Sequence, residues 1–149
     1  MCDGMRIDQW MKHPVHMVKP RASIRHAREL MERHRINQLP VVVDGRLVGI
    51  VTDRDLRDAF PSVFEPPRHG DTKSRTPDPE DVPVDSVMTA NTLSLGPKDL
   101  VVDAARLMRR ERIGAIPIVD GGRLVGILAR SDVLDAFVEL AEQPAAVTG

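Results

Sequence analysis

A chain of 149 residues has room for one compact domain or for two small halves sharing a core. At 42% hydrophobic and 29% charged, with a net charge of −1, it has a soluble globular composition and lacks the basic excess of a bulk nucleic-acid binder. The single cysteine, Cys2, excludes an internal disulfide and a Cys-rich zinc site. No apolar run reaches membrane-span length, and the opening MCDGMRIDQW lacks a signal-peptide core, so a cytoplasmic protein is expected.

In chain order, Trp10 and Met11 lie in a lead-in segment and are expected to pack on another part of the chain or on a second subunit. His13 and His16 have metal-ligand spacing, but no carboxylate or cysteine stands near them and the pair makes a poor site. Val15–Val18 reads as a short first strand that Pro20 ends. Ser23 is a helix start signal, and Ile24, Ala27, Leu30, Met31 and His34 recur at helical spacing. QLPVVV, residues 38–43, is short and β-branched and predicts a strand. Asp44-Gly45 predicts a tight hairpin turn into a second strand, Arg46–Thr52, followed by a helix from about Asp53 to Phe60. Residues 61–83 hold six of the twelve prolines and read as a linker, or alternatively as a lid or docking loop.

The pattern then repeats. An offset of 77 residues superposes residues 11–60 on 88–137 without a gap, and 20 of the 50 positions are identical. GRLVGI recurs unchanged at 45–50 and 122–127, Pro40 falls on Pro117, and Asp55 on Asp132. Thr92–Leu95, the helical pattern of Val101, Ala104, Ala105 and Met108, and Gly121-Gly122 repeat the first strand, helix and turn. A unit of about 55 residues is small for a stable core, so two pseudo-symmetric units packed sheet to sheet are expected. The expected organisation is one unit over 5–60, the linker 61–83, a second unit over 84–140 and a frayed tail over 141–149. From Met5 to Phe60 there are 11 basic and 7 acidic residues, against 7 and 7 from Val84 to Phe137, so the first copy is the better host for an anion.

The strings RINQLPVVVDGRLVGIVTDRDL and RIGAIPIVDGGRLVGILARSDVL, with the order β-α-β-β-α, resemble the CBS domain in its tandem-pair form. TDRDLRDAFPSVFE further resembles stand-alone CBS proteins of the acetoin-utilisation type, although their C-terminal regulatory domain would not fit this length. The resemblance implies an α+β fold of two β-α-β-β-α units, small mixed sheets flanked by helices. It also implies up to two clefts for adenosine-containing ligands such as AMP, ADP, ATP, S-adenosylmethionine or NAD, and a disc-like homodimer of four units.

In that family the residue matching Thr52 takes a phosphate and the one matching Asp55 a ribose. The chemistry agrees: a helix start offers free N–H groups to an anion, a hydroxyl donates to phosphate, and an ionised carboxylate only accepts, which suits ribose hydroxyls. Arg54 could pair with phosphates or form a solvent-facing ion pair, and Gly49 allows close approach. The resemblance places adenine against Val15, His16, Met17, Asn37, Gln38, Leu39 and Pro40; for the larger aliphatics, core is the favoured reading. In the second copy the matching set is Thr92, Leu93, Gly114, Ala115, Ile116 and Pro117, with Arg130, Ser131 and Asp132 at the helix start.

Thr52-x-x-Asp55 is also capping-box spacing, which needs no ligand. In the second copy Ala129 cannot cap and Asp132 remains, with Ser131 able to shift the cap. The expectation is a principal nucleotide site in the first copy and a weak or empty one in the second. No nucleophile elbow, phosphate-cradling loop or metal triad is present, so neither an enzyme nor a required cofactor is expected. The leading reading is a regulatory nucleotide sensor acting on an unknown partner protein. The alternative is a dimerisation scaffold without ligand. Nucleic-acid binding through Arg33-His34-Arg35 or Arg109-Arg110-Glu111-Arg112 comes third, since no stacking aromatics lie nearby.

Overall fold

The computed structural model describes residues 5–59, 81–90 and 92–143. Helix α1 spans Ile24–His34, strand β1 Gln38–Val43, β2 Arg46–Thr52, helix α2 Asp53–Ala59 and β3 Thr89–Ala90. Helix α3 spans Val101–Glu111, β4 Ala115–Asp120, β5 Arg123–Ala129 and α4 Arg130–Glu142. The predicted linker falls almost wholly outside the described residues, as does Phe60. Helix α4 runs through Glu142, past the predicted start of the tail, and the remainder of the tail also lies outside the described residues.

The helices form where the pattern places them. The Ser23 side chain accepts a hydrogen bond from the His26 N–H at 3.0 Å, capping α1. Ile24, Ala27 and Met31 form its buried stripe; Val101, Ala104 and Met108, each 77 residues on, form that of α3. Both helices end on an arginine in the left-handed conformation, Arg35 at φ 55° and Arg112 at φ 56°. In both hairpins the two turn residues have positive φ, Asp44-Gly45 in one and Gly121-Gly122 in the other, the geometry that matches strand twist. Strands β1 and β2 pair antiparallel, as do β4 and β5, each with one register shift at the equivalent position.

The predicted first strand of each copy shrinks to one parallel bridge, Val18 to Val41 and Leu95 to Ile118. The Val18 N–H donates to Pro40 O and the Val42 N–H donates back to Val18 O. Two residues later Pro20, and in the second copy Pro97, has no N–H to extend a ladder.

The chain divides into two compact units, and each recruits the lead-in of the other copy. One is His16–Thr92; the other is Met1–Val15 together with Leu93–Gly149. In the first, Val84 is fully buried among Val18, Ile24, Met31, Leu39, Val41, Val51 and Leu56. The Ile24 N–H donates to Val82 O at 2.9 Å and the Val84 N–H donates to Ala22 O at 2.7 Å. In the second, Ile7 takes the equivalent place, and Trp10 and Met11 pack on the core built from Val101, Met108, Ile116 and Leu128. The expectation for Trp10 and Met11 thus resolves to the other copy.

These lead-ins cross the hairpins at two glycines. Strand β3 pairs with β2 through Gly49 and Ile50. A Cβ on Gly49 would stand 2.6 Å from Met88 Sδ and 2.9 Å from the Thr89 carbonyl. A Cβ on Gly126 would stand 2.5 Å from Met11 Sδ but 3.2 Å from the nearest backbone atom, Lys12 O. Both Gly49→Ala and Gly126→Ala should lower stability by about 1–3 kcal/mol in chemical denaturation. Met11→Ala should relieve much of the Gly126→Ala cost, because a flexible side chain causes it. Met88→Ala should relieve little of the Gly49→Ala cost, because the Thr89 backbone remains.

Candidate functional site

The end of β2 and the start of α2 bring together the first-copy candidates. The Thr52 N–H donates to Asp55 Oδ2 at 2.9 Å, and the Asp55 N–H donates to Thr52 Oγ1 at 3.1 Å. This is a reciprocal capping box, so the structural reading of the motif is realised. It does not exhaust the two side chains. Thr52 Oγ1 is used as an acceptor, which leaves its hydroxyl proton free to donate. Asp55 Oδ1 has no protein partner among the described residues. Gln38 is the strand partner of Thr52, and Asn37 O accepts from the Asp53 N–H at 2.8 Å, so Asn37 and Gln38 adjoin the box. Arg54 is exposed and makes no ion pair among the described residues, whereas Asp53 is paired with Arg57 at 3.9 Å.

The second copy has half the box. The Ala129 N–H donates to Asp132 Oδ2 at 2.7 Å, but alanine offers nothing in return. Asp132 is 5% exposed, and its other oxygen, Oδ1, is ion-paired with Lys12. Both oxygens are therefore engaged. Helix α4 begins at Arg130, so Ser131 does not shift the cap; its side chain is exposed. The Arg130 N–H donates to Gly114 O at 2.9 Å, repeating the Asp53–Asn37 link.

The adenine-face candidates divide by burial. Leu39, Pro40, Ile116 and Pro117 are buried, and Ala115 is only 8% exposed. Their side chains are core, and what they can offer a ligand is backbone. Val15 is half-buried, and Met17 and Leu93 are each 42% exposed. Among the described residues the buried Thr92 hydroxyl has no hydrogen-bond partner. A buried polar group left unmatched costs about 1–3 kcal/mol. At Gly49 the close approach is made by Met88 and Thr89, so its small size serves the fold.

Sequence reasoning missed two partners. His16 does not join His13 in a metal set; its ring stacks on His34 at 3.6 Å and 14°. Among the described residues no group of three His, Cys, Asp or Glu side chains could hold a metal ion. Lys12 was also missed, because its partner lies 120 residues away. The alignment at offset 77 holds the only signal: Lys12 stands where the second copy's lead-in has Thr89. Among the described residues no helix is long and apolar enough to cross a membrane.

The two hairpin units with matched helix starts define a duplicated α+β module. Residues 7–62 and 84–139 each match the CBS domain model, and the chain belongs to that family as a tandem pair. It is 35% identical over 138 residues to a CBS domain-containing protein of Dictyostelium discoideum, covering 91% of this chain and 93% of that protein. A Vibrio cholerae structure described as an acetoin utilization protein superposes with a TM-score of 0.74 at 27% identity, covering 93% of each chain. The protein CBSX2, solved in complex with AMP, superposes with a TM-score of 0.73 at 27% identity, covering 93% of this chain and all of that one.

Two outcomes follow for these side chains. Lys12→Met leaves a buried carboxylate without its cation and should lower stability by about 1 kcal/mol, since the lysine end of the pair is largely exposed. The loss should be smaller when Asp132→Asn is already present, which a double-mutant cycle would measure. The pKa of His34 is held below its ordinary value of 6.5 by partial burial first, then by the charges of His16 and Arg33. The unfolded chain therefore binds this proton more readily. Stability should be complete above about pH 6.5 and fall as pH drops towards the lowered folded value. His16→Ala should move the His34 pKa part of the way back up in an NMR titration.

Proposed function

We propose that this chain is a regulatory module that binds an adenosine-containing nucleotide of the AMP, ADP or ATP type, with its principal site around Thr52 and Asp55. It acts in the cytoplasm without catalysis and without a required cofactor. Occupancy alters the arrangement of a homodimer, and a partner protein reads the change through the ligand's differential affinity for the two states. The carrying observation is the asymmetry of the two carboxylates. Asp55 keeps an unengaged oxygen for ribose hydroxyls beside the Thr52 hydroxyl, whereas Asp132 has both oxygens occupied. Asn37 and Gln38, with Arg54, Gly49, Val15, His16, Met17, Leu39 and Pro40, complete the first site. Asp132, Ser131, Arg130, Thr92, Leu93, Gly114, Ala115, Ile116 and Pro117 form the weaker one. The AMP complex of CBSX2 supports the ligand class.

A second reading, a dimerisation scaffold with no physiological ligand, is favoured by the apolar exposure of α4, where Leu134, Phe137, Val138 and Leu140 are each at least half exposed. Calorimetric titration with AMP, ADP, ATP, NAD and S-adenosylmethionine separates the two. The sensor predicts saturable binding near one site per chain, weakened roughly tenfold to a hundredfold in Asp55→Asn with the fold intact. The amide keeps an acceptor for the Thr52 N–H, so loss of binding would report the ligand contact and not the cap. A folded, ligand-free protein that binds none of the five would establish the scaffold.

A further inference from the structure

We propose that the cavity between α3 and α4 is an anion site that takes the phosphates of a small polyphosphate-bearing molecule. The cavity has a volume of about 370 Å³ and is lined by Ala105, Met108, Arg109, Arg112, Arg130 and Val133. That is within the range that holds small ligands. Ala105, Met108, Arg109 and Arg112 recur at i, i+3, i+4 and i+7 on one face of α3 and its end. Arg130 and Val133 are three apart on the first turn of α4. The Arg130 guanidinium lies beside Gly114, its Nη2 3.6 Å from where a Cβ would stand, an ordinary contact distance.

The three guanidiniums have no carboxylate partner among the described residues. Other arginines of α3 do: Arg106 pairs with Asp103 at 3.5 Å and Arg110 with Glu111 at 3.2 Å. Three unpaired cations around one cavity repel one another, and a bound anion would remove that cost. Helix-end electrostatics explains Arg109, which sits in the last turn of α3 where a cation is favoured. It does not explain Arg130, the first residue of α4, where a cation opposes the dipole.

The internal repeat provides a second and independent observation. At offset 77 the positions of Arg109, Arg112 and Arg130 are occupied by Glu32, Arg35 and Asp53. In the first copy Glu32 pairs with Arg28 at 2.8 Å and Asp53 with Arg57 at 3.9 Å. Two positions that carry acids in the first copy thus carry cavity-lining arginines in the second, within a repeat that keeps 20 of 50 residues. Guanidinium forks suit phosphate oxygens, and three positive charges match a di- or triphosphate better than a monophosphate. The site uses neither Thr52 nor Asp55, so it stands or falls apart from the principal nucleotide site proposed above; Arg130 is the one lining residue it shares with the weaker second-copy site.

Inorganic pyrophosphate, titrated calorimetrically into the full chain, tests it. Saturable binding is expected, weakened roughly a hundredfold in Arg109→Glu/Arg130→Asp, two changes that copy residues the fold already carries in the first repeat. Arg109→Glu alone, which leaves Arg130 in place, should keep wild-type AMP affinity. Asp55→Asn should keep wild-type pyrophosphate affinity. ATP binding that survives Asp55→Asn and is lost in the arginine variant would assign a nucleoside polyphosphate. Pyrophosphate binding without it would assign a polyphosphate that lacks the nucleoside. No pyrophosphate binding, or equal binding in the arginine variant, overturns the proposal. So does an RNA or DNA oligonucleotide that displaces pyrophosphate and binds more tightly through the same arginines.

Discussion

Each unit is closed by a segment that belongs, in sequence, to the other copy. Ile7 and Val84 are both fully buried, and burying such a side chain contributes about 1.5–3 kcal/mol. A hairpin with two helices would otherwise leave that part of its core open. The consequence is mutual dependence. The lead-in of the first copy completes the unit of the second, and the lead-in of the second completes the unit of the first. Neither stretch of about 55 residues carries its own complete core, which is the physical reason such a repeat appears as a pair.

The same exchange fixes the glycines. Gly49 and Gly126 belong to the identical GRLVGI strings, and at both the methionine of an exchanged lead-in lies where a Cβ would be. The repeated string thus records a packing requirement twice, and its identity says nothing about ligand. Asymmetry enters only around it. Lys12 and Thr89 occupy equivalent positions in the two lead-ins, yet the first neutralises a carboxylate and the second carries no charge.

Local signals were the legible part of the sequence. Ser23 as a cap, positive φ at Asp44-Gly45 and Gly121-Gly122, and the Ile24, Ala27, Met31 stripe all follow from near neighbours in the chain. The strand boundaries 38–43 and 46–52 follow from β-branching and the turn between them. The first strands did not survive as strands, because proline two residues on stops a ladder that the apolar pattern alone would allow. Long-range partners were not legible. The Lys12–Asp132 pair and the His16–His34 stack depend on how the lead-ins pack, and neither periodicity nor spacing encodes them. The burial of Leu39 and Ile116 agrees with the core reading favoured for the larger aliphatics, although an aliphatic beside a cleft and an aliphatic under it have the same sequence pattern.

The retention of Asp132 beside Ala129 now has a physical account that requires no ligand. A capping carboxylate is held by the N–H groups it accepts from, and those are backbone, so they persist whatever residue stands at the cap position. Losing the threonine removes only the reverse bond, and the surviving half still satisfies the Ala129 N–H while Lys12 neutralises the remaining oxygen. Keeping the acid therefore leaves both of its oxygens partnered in the second copy, and removing it would leave an unpaired N–H beside a cation. The carboxylate is a component of the fold in both copies. What distinguishes the two copies is the state of the second carboxylate oxygen and the presence of a hydroxyl beside it, and of the two helix starts only the Thr52–Asp55 box keeps both an unengaged oxygen and a hydroxyl.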